Sequence, residues 1–438
     1  MQSGAHISAS IELLTTIATS PTPADRVLQN YFKHRRYIGG RDKREISGMV
    51  YGALRHQGEL VWLLEHQGHD VTPRRMLLAY LSRHGGFVAN QLNLMCDGRA
   101  YNAKPLNATE QKMVEKIRGK LPAEMPNWAR YNLPGWLAKA LHEDWGDDLP
   151  RLMSRMAEEA PVDLRVNTLK TTVDDMTATL RAEGHEAVPA PLAPWGLRLT
   201  ERAALFGMPA FKNGLFEVQD AGSQIIALLS AVKPGQQVVD FCAGAGGKTL
   251  AMAAMMNNRG MLTAGDIIGN KLEELKRRLS RAGVSNTTIR QWKSERDKWV
   301  KQHQGKLDTV LLDVPCSGSG VWRRNPDARW RLTPQKLAEL NRTQDAILAS
   351  TARMVKPGGR LIYATCSVLK AENADRVNAF LAANPAFKIM PVPAVWAELS
   401  QQYPQLGACP TEQETLQLTP HQHGTDGFFV AVLTRTAP

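Results

Sequence analysis

The chain has 438 residues, 43% hydrophobic and 22% charged, a balance that excludes global disorder and fibrous repeats and leaves room for about two to three domains. Lys and Arg number 54 against 42 Asp and Glu, and the net charge of +12 suits a polyanionic partner. No window approaches the roughly 18 uninterrupted apolar residues of a membrane span, and Met1 to Ile17 lacks a basic region ahead of an apolar core, so a cytoplasmic protein with no membrane partner is expected.

From Ile7 to Leu121 apolar residues recur at helical spacing, in IELLTTIA (11–18), ADRVLQNYFKH (24–34), REISGMVYGALRH (44–56), ELVWLLEH (59–66) and RRMLLAYLSRH (74–84). They predict an all-helical domain over 1–125. Pro122 and Pro126 punctuate the chain, and LPGWLAKALHEDWG (133–146) predicts a linker helix opening a second segment, 126–215. Strand patterns at 162–170, 197–201 and 215–220, with a helix over 173–184 that ends on Gly184, make this a small α+β module. Over 216–438 the texture alternates. VVDFCA (238–243), MLTAGDI (261–267), TTIRQW (287–292), LDTVLLDVP (307–315) and RLIYATCS (360–367) read as strands, and 248–256, 271–283 and a long segment from Thr333 to Val355 as helices. Such alternation predicts an α/β, doubly wound, mostly parallel sheet.

The charge is concentrated, with net +7 in 1–120 and +8 in 271–331. Within the second stretch, Trp322-Arg323-Arg324-Asn325-Pro326-Asp327-Ala328-Arg329-Trp330-Arg331 interleaves arginines with two tryptophans. Guanidinium forks for phosphates and aromatic faces for bases suit single-stranded nucleic acid. The mixed run KLEELKRRLSRAG (271–283) reads equally well as a solvated helix face.

Asp240-Phe241-Cys242-Ala243-Gly244-Ala245-Gly246-Gly247-Lys248-Thr249 lies at a strand end and opens a helix, where glycines let backbone amides approach a ligand. A phosphate loop would need glycine at Cys242, and the dinucleotide pattern would need glycine at Thr249. Two readings remain: a purely structural turn, or the first turn of an S-adenosylmethionine site in which Asp266, at the end of the next strand, accepts both ribose hydroxyls.

Cys96, Cys242, Cys316, Cys366 and Cys409 form no CxxC pair, so neither a disulfide nor zinc is expected. His421 and His423 read as a solvated turn, and Met252, Met255 and Met256 as packing; no metal is assigned. Cys316 follows Asp313-Val314-Pro315 at one strand end and Cys366 follows Thr365 at another, which aims both thiols at the crevice of the glycine loop. Methylation of an unreactive ring carbon wants this set. A thiolate adding to carbon 6 of a pyrimidine makes carbon 5 nucleophilic, an acid such as Asp313 can hold ring nitrogen 3, and a second thiol can assist loss of the carbon 5 proton.

Val218-Gln219-Asp220, the 240–249 loop, Asp313 to Ser317, Arg323 to Asp327, Tyr363 to Ser367 and Asp426-Gly427-Phe428-Phe429, in this order, resemble the NOL/NOP/Sun family of RNA 5-methylcytosine methyltransferases. The resemblance implies three parts: an all-α NusB-like RNA-binding domain, carried by GRDKREISGMVYGALRH (40–56); a small α+β RNA-recognition-like module; and a Rossmann-like class I methyltransferase domain. It also implies Cys366 as nucleophile, Cys316 as the residue that helps release product, and Asp313 at the target cytosine and cofactor. S-adenosyl-L-methionine would be held by Cys242, Ala243, Gly244, Ala245, Gly246, Gly247, Lys248 and Asp266. Arg323, Arg324 and Asn325, with Lys43 and Arg44 of the helical domain, would contact RNA. The implied partner is ribosomal RNA with an unstacked cytosine, met by a monomer; a transfer RNA substrate, or a binding protein on a methyltransferase shell, are the alternatives. Gly244 and Ala245 stand where the family loop reads alanine and proline. Lys293 stands where relatives carry an aspartate that accepts from the adenine amino group, and lysine is a donor only.

Overall fold

The computed structural model describes residues 1–436, which divide into two compact units. The first comprises Met1–Glu158 and Trp322–Thr333, the second Glu159–Val321 and Pro334–Pro438.

The first unit is helical. Ser3–Thr19, Ala24–His34, Gly40–Arg55, Gln57–His66 and Pro73–Arg83 reproduce the five predicted helices. Their apolar stripes close on a core that includes Ile7, Leu13, Leu14, Ile46, Leu60, Leu64 and Leu77. Thr72 caps the fifth helix by accepting from the Arg75 amide at 3.2 Å, and Pro73 at the first position sacrifices no hydrogen bond. The expected boundary at 125 falls inside this unit: Gly135–Trp145 and Leu149–Met156 also belong to it.

The tryptophan and arginine run is the main correction. It was expected to present a nucleic-acid surface, but residues 322–333 pack into the helical unit. Trp322, Arg323 and Arg329 are buried, and Trp330 is half-buried. Asp327 accepts from the Ala24 amide at 3.1 Å and pairs with Arg331 at 2.8 Å, while Arg331 donates to the Pro21 and Thr22 carbonyls. Arg55 in turn donates to the Arg323 carbonyl at 3.2 Å. Arginine and tryptophan bury long apolar surfaces as readily as they stack on bases, so composition did not separate the two fates. Arg324 and Asn325 remain exposed, as does Arg44, while Lys43 is half-buried with its ammonium 5.9 Å from the Phe32 ring.

One group in this unit, His56, Glu59 and His84, brings possible metal-ligand atoms within 4.8 Å of one another. The two imidazoles stack 3.7 Å apart, so their in-plane lone pairs do not converge, and Arg83 already occupies the Glu59 carboxylate. Burial works against the Glu59 charge, but hydrogen bonds from His56, His84 and Arg83 outweigh it and hold the carboxyl below its usual range. The group is an ion-pair cluster.

The second unit carries two sheets. β1 (Asp163–Val166), β2 (Ala187–Pro189), β3 (Gly196–Leu199) and β4 (Phe216–Val218) form an antiparallel sheet in the order β2-β3-β1-β4, with a helix at Val173–Ala182. The larger sheet contains β5 (Gln237–Asp240), β6 (Met261–Asp266), β7 (Thr287–Gln291), β8 (Leu307–Asp313), β9 (Val355–Thr365), β10 (Phe387–Ile389), β11 (Leu416–Leu418) and β12 (Phe428–Arg435). Its order is β10-β12-β9-β8-β5-β6-β7, with β11 paired to β12. β6, β5, β8, β9 and β7 run parallel, and their apolar runs, such as Val310-Leu311-Leu312 and Leu361-Ile362-Tyr363-Ala364, are buried because helices cover both faces. The antiparallel extension through β12 was not read from the sequence.

Strand order reverses between β5 and β8, which opens a crevice at their carboxyl ends. β5 delivers the glycine loop, β6 ends on Asp266, β8 ends on Asp313, and β9 ends one residue before Cys366.

Candidate active site

The glycine loop turns because two of its residues, Gly244 (φ 54°) and Gly246 (φ 87°), adopt the left-handed region. At Gly246 a Cβ would lie 2.1 Å from Leu275 Cδ1, so the loop also needs glycine to sit on the Gly269–Ala282 helix. Helix Gly247–Met255 begins immediately, with its free amides toward the crevice end of the sheet. Met252, Met255 and Met256 are buried in the core, as their packing role required.

Asp266 is fixed by two amides: Gly244 N–H donates to Oδ2 and Ile268 N–H to Oδ1, both at 2.9 Å. Each oxygen keeps a further lone pair for a ribose hydroxyl. Trp292 lies parallel to Phe241 at 5.0 Å, and its indole N–H donates to the Phe241 carbonyl at 2.8 Å. Gly265 permits this approach, since a Cβ there would meet Trp292 Cε2 at 2.0 Å.

A cavity of about 730 Å³ runs from this loop to the cysteines and falls within the range of small-molecule sites. Its lining includes Cys242, Ala243, Gly244, Ala245, Gly247, Lys248, Asp266, Asp313, Cys316 and Cys366. Gly246 supports the loop without lining the cavity. Lys293 lines it with Ser294 and Glu295, as does Lys271 at the start of the mixed 271–283 run, and Ser223 and Thr343 are lining residues that no sequence pattern singled out. Arg323, Arg324, Asn325, Lys43 and Arg44 belong to the first unit and not to this lining. His423 sits in the short helix Pro420–His423, its Nδ1 accepting from the Thr419 amide at 3.1 Å.

Charge in the cavity is paired. Lys248 Nζ donates to Asp313 Oδ2 at 2.5 Å. Burial works to lower the Lys248 pKa, but the Asp313 carboxylate outweighs it and the net displacement is upward, so the ammonium persists. Beneath them burial pushes the Asp240 carboxyl up to about 7, against a 2.6 Å hydrogen bond from Thr249 and with the help of the Asp313 charge. Burial likewise pushes the Cys242 thiol well up.

Cys316 Sγ and Cys366 Sγ lie 3.3 Å apart. The hydrogen bond to Cys366 pushes the Cys316 thiol well above its ordinary value, and burial adds to this. A ring carbon entering between Asp313 and Cys366 would find two sulfurs and a carboxylate within one cavity.

Family models identify two stretches. One described as 16S rRNA methyltransferase RsmB/F matches residues 227–434, and one for the RsmF/B-like ferredoxin-like domain matches 133–205. A probable ribosomal RNA small subunit methyltransferase B from Synechocystis is 32% identical over 435 residues, 94% of each chain. The chain belongs to the RsmB/F methyltransferase family. Ribosomal RNA small subunit methyltransferase B of Salmonella typhi is 30% identical over 362 residues, 80% of this chain and 84% of that one. Among solved structures, PH0851 matches with a TM-score of 0.76 over 99% of both chains at 26% identity. As an RsmB/F member the chain is an S-adenosylmethionine-dependent RNA methyltransferase of the NOL/NOP/Sun type. The site suits that cofactor through the Asp266 carboxylate, the loop amides and the Trp292 wall. No described helix is long and apolar enough to cross a membrane.

Proposed function

We propose that the chain methylates carbon 5 of a cytosine in small-subunit ribosomal RNA. The observation that carries this reading is the pair of thiols 3.3 Å apart in the cavity that Asp313 and the glycine loop also line. The RNA class is supported by the names of the relatives, ribosomal RNA small subunit methyltransferase B.

The bound cofactor supplies an electrophilic methyl group. Cys366 thiolate forms a bond to carbon 6 of a flipped cytosine, and the ring electrons move toward nitrogen 3, which takes a proton passed from the Lys248 ammonium through the Asp313 carboxylate and returns it when the adduct breaks down. Carbon 5 then takes the methyl group. Cys316 accepts the carbon 5 proton, and the sulfur–carbon 6 bond breaks to restore the aromatic ring and free Cys366. The raised proton affinity keeps Cys316 a thiol at rest, so it gives up its own proton to solvent before it acts and is then, as thiolate, the stronger base for the carbon 5 proton. The helical unit, NusB-like in this reading, carries exposed Arg44, Arg324 and Asn325 toward RNA backbone.

The test uses S-adenosylmethionine with a labelled methyl group and small-subunit RNA. Label appears at cytosine carbon 5 with the intact chain, is lost in Cys366→Ala, and a covalent RNA adduct accumulates in Cys316→Ala. Transfer that survives Cys366→Ala overturns the assignment of the nucleophile, and label on transfer RNA alone overturns the substrate.

A further inference from the structure

Past the ends of β8 and β9 no ladder hydrogen bond continues to hold the two cysteine loops, yet their sulfurs stay 3.3 Å apart. The residue after each cysteine is a serine, and both serines converge on one side chain. Glu372 is fully buried. Its Oε1 accepts from the Ser317 amide at 2.8 Å and from Gln344 Nε2 at 3.0 Å, and its Oε2 accepts from Ser317 Oγ at 2.5 Å and Ser367 Oγ at 2.6 Å.

Four donors thus take up the carboxylate, and among the described residues no lysine or arginine forms an ion pair with it. A buried anion solvated only by neutral donors is expensive, and it persists where every donor is aimed at it. The neighbouring residue continues the clamp. Asn373 Oδ1 accepts from Thr365 Oγ1 at 2.6 Å and its amide donates to the Ser367 carbonyl at 2.9 Å, so it grips the chain on both sides of Cys366. The loops are also tied directly, by a 2.8 Å contact between Ser319 and Ser367 hydroxyls and by the Gly320 amide on the Cys366 carbonyl at 2.9 Å. Tyr363 anchors the turn that presents Glu372 by donating to the Glu372 carbonyl at 2.6 Å.

We infer that Glu372 is a positioning residue for the methyl-transfer reaction: its carboxylate bridges Ser317 and Ser367 and thereby sets the distance between Cys316 and Cys366. This rests on the reading that the two thiols carry the chemistry. Glu372 has a second effect, because its negative charge faces Cys316 and contributes to holding that thiol protonated.

Two substitutions separate the effects. Glu372→Ala removes the bridge and the charge. Glu372→Gln removes the charge and keeps a bridge: its carbonyl accepts from the Ser317 amide and Gln344, and its amide donates to the two serine hydroxyls, which can turn to accept.

The experiment uses the full chain and two readouts. The first is the rate at which the thiol oxidant diamide links Cys316 to Cys366; two thiols lose their protons and two electrons to the oxidant, which becomes the hydrazine, and one sulfur–sulfur bond forms. The second is methyl transfer across pH, normalised to folded protein. Glu372→Ala is expected to link at least tenfold more slowly and to lose at least a hundredfold in kcat, with KM for S-adenosylmethionine within threefold. Glu372→Gln is expected to recover at least tenfold of the lost rate and to move the acid limb of the pH profile to lower pH. Linking and kcat at the wild-type level in Glu372→Ala overturn the inference, as does a Gln variant no better than Ala. If Glu372→Ala does not fold, Ser367→Ala, which removes one end of the bridge, must slow the linking, and an unchanged rate overturns the inference. Because the linking rate requires no methyl transfer, failure of the wild-type chain to methylate cytosine would sink the proposed function without deciding the role of Glu372.

Discussion

Lys248 and Asp313 meet across the point where the strand order of the sheet reverses, the ammonium at the start of one helix donating at 2.5 Å to the carboxylate at the end of β8. The pair joins the glycine loop to the residue proposed to face the target base. Because the Lys248 pKa is raised in the folded chain, the stability it contributes is fully present below its unfolded value and fades only as pH rises through the folded one. At neutral pH the pair is intact. Lys248→Met should therefore lower kcat by about tenfold or more, the size of effect expected when an acid or base loses its orientation. Steady-state kinetics at pH 7 to 8 test this, and an unchanged kcat would remove Lys248 from the mechanism.

Asp240 gives a pH dependence of the same sign in a lower window. Its carboxyl is pushed up to about 7 from 3.8, so between those values the folded chain binds a proton that the unfolded chain has released. Stability must fall as pH rises through that window. Asp240→Asn, which keeps an acceptor for Thr249, should flatten the slope of the unfolding free energy between about pH 4 and 7. Chemical denaturation at several pH values measures it; an identical slope in both proteins would refute the assignment.

Arg329 is buried with one weak hydrogen bond, Nη1 to the Asn132 carbonyl at 3.4 Å, and its guanidinium 5.3 Å from the Trp322 ring, while Nε and Nη2 find no hydrogen-bond partner among the described residues. Burial, and then the charge of Arg55, pull its pKa down to about 9. Removing such a charge in favour of a flexible apolar chain is expected to stabilise by about 1 to 4 kcal/mol. Arg329→Met should raise Tm and leave the salt dependence of RNA binding as it is. A lower Tm, or a salt slope reduced by about one, would restore the nucleic-acid role first expected of this run.

Gly265 lies directly against Trp292, which lines the cavity. In Gly265→Ala the new Cβ would press on the Trp292 indole, and relief by moving the ring sacrifices its bond to the Phe241 carbonyl. The expected cost is about 1 to 3 kcal/mol of stability, together with weaker cofactor binding. Calorimetric titration with S-adenosylmethionine and thermal unfolding should both report it; wild-type values in both would show that Trp292 has room to spare.

The parallel strands were legible because strands buried on both faces must be apolar without interruption, as Val310 to Leu312 and Leu361 to Ala364 are. The glycine loop and the two cysteines were legible because they sit at strand ends, where the chain order alone says they meet. β10 and β11, three residues each, are too short to show a period and owe their pairing to β12. Glu372 carries no local signal, since its meaning lies in Ser317, which is 55 positions away. The run at 322–331 was misread because exposure is a property of the partner surface, and Pro21, Thr22 and Ala24 lie some three hundred residues earlier.

That last separation has a consequence for biosynthesis. The amino-terminal helices leave the ribosome first, but the carboxylate that accepts from Ala24 and the guanidinium that closes on Pro21 and Thr22 are made only when translation passes residue 331. Until then the chain exposes the surface around Gly58 that Trp330 will cover, and a fragment cut at residue 158 would carry that exposure permanently. The helical unit, although it begins the sequence, cannot be completed until residue 333 has been made.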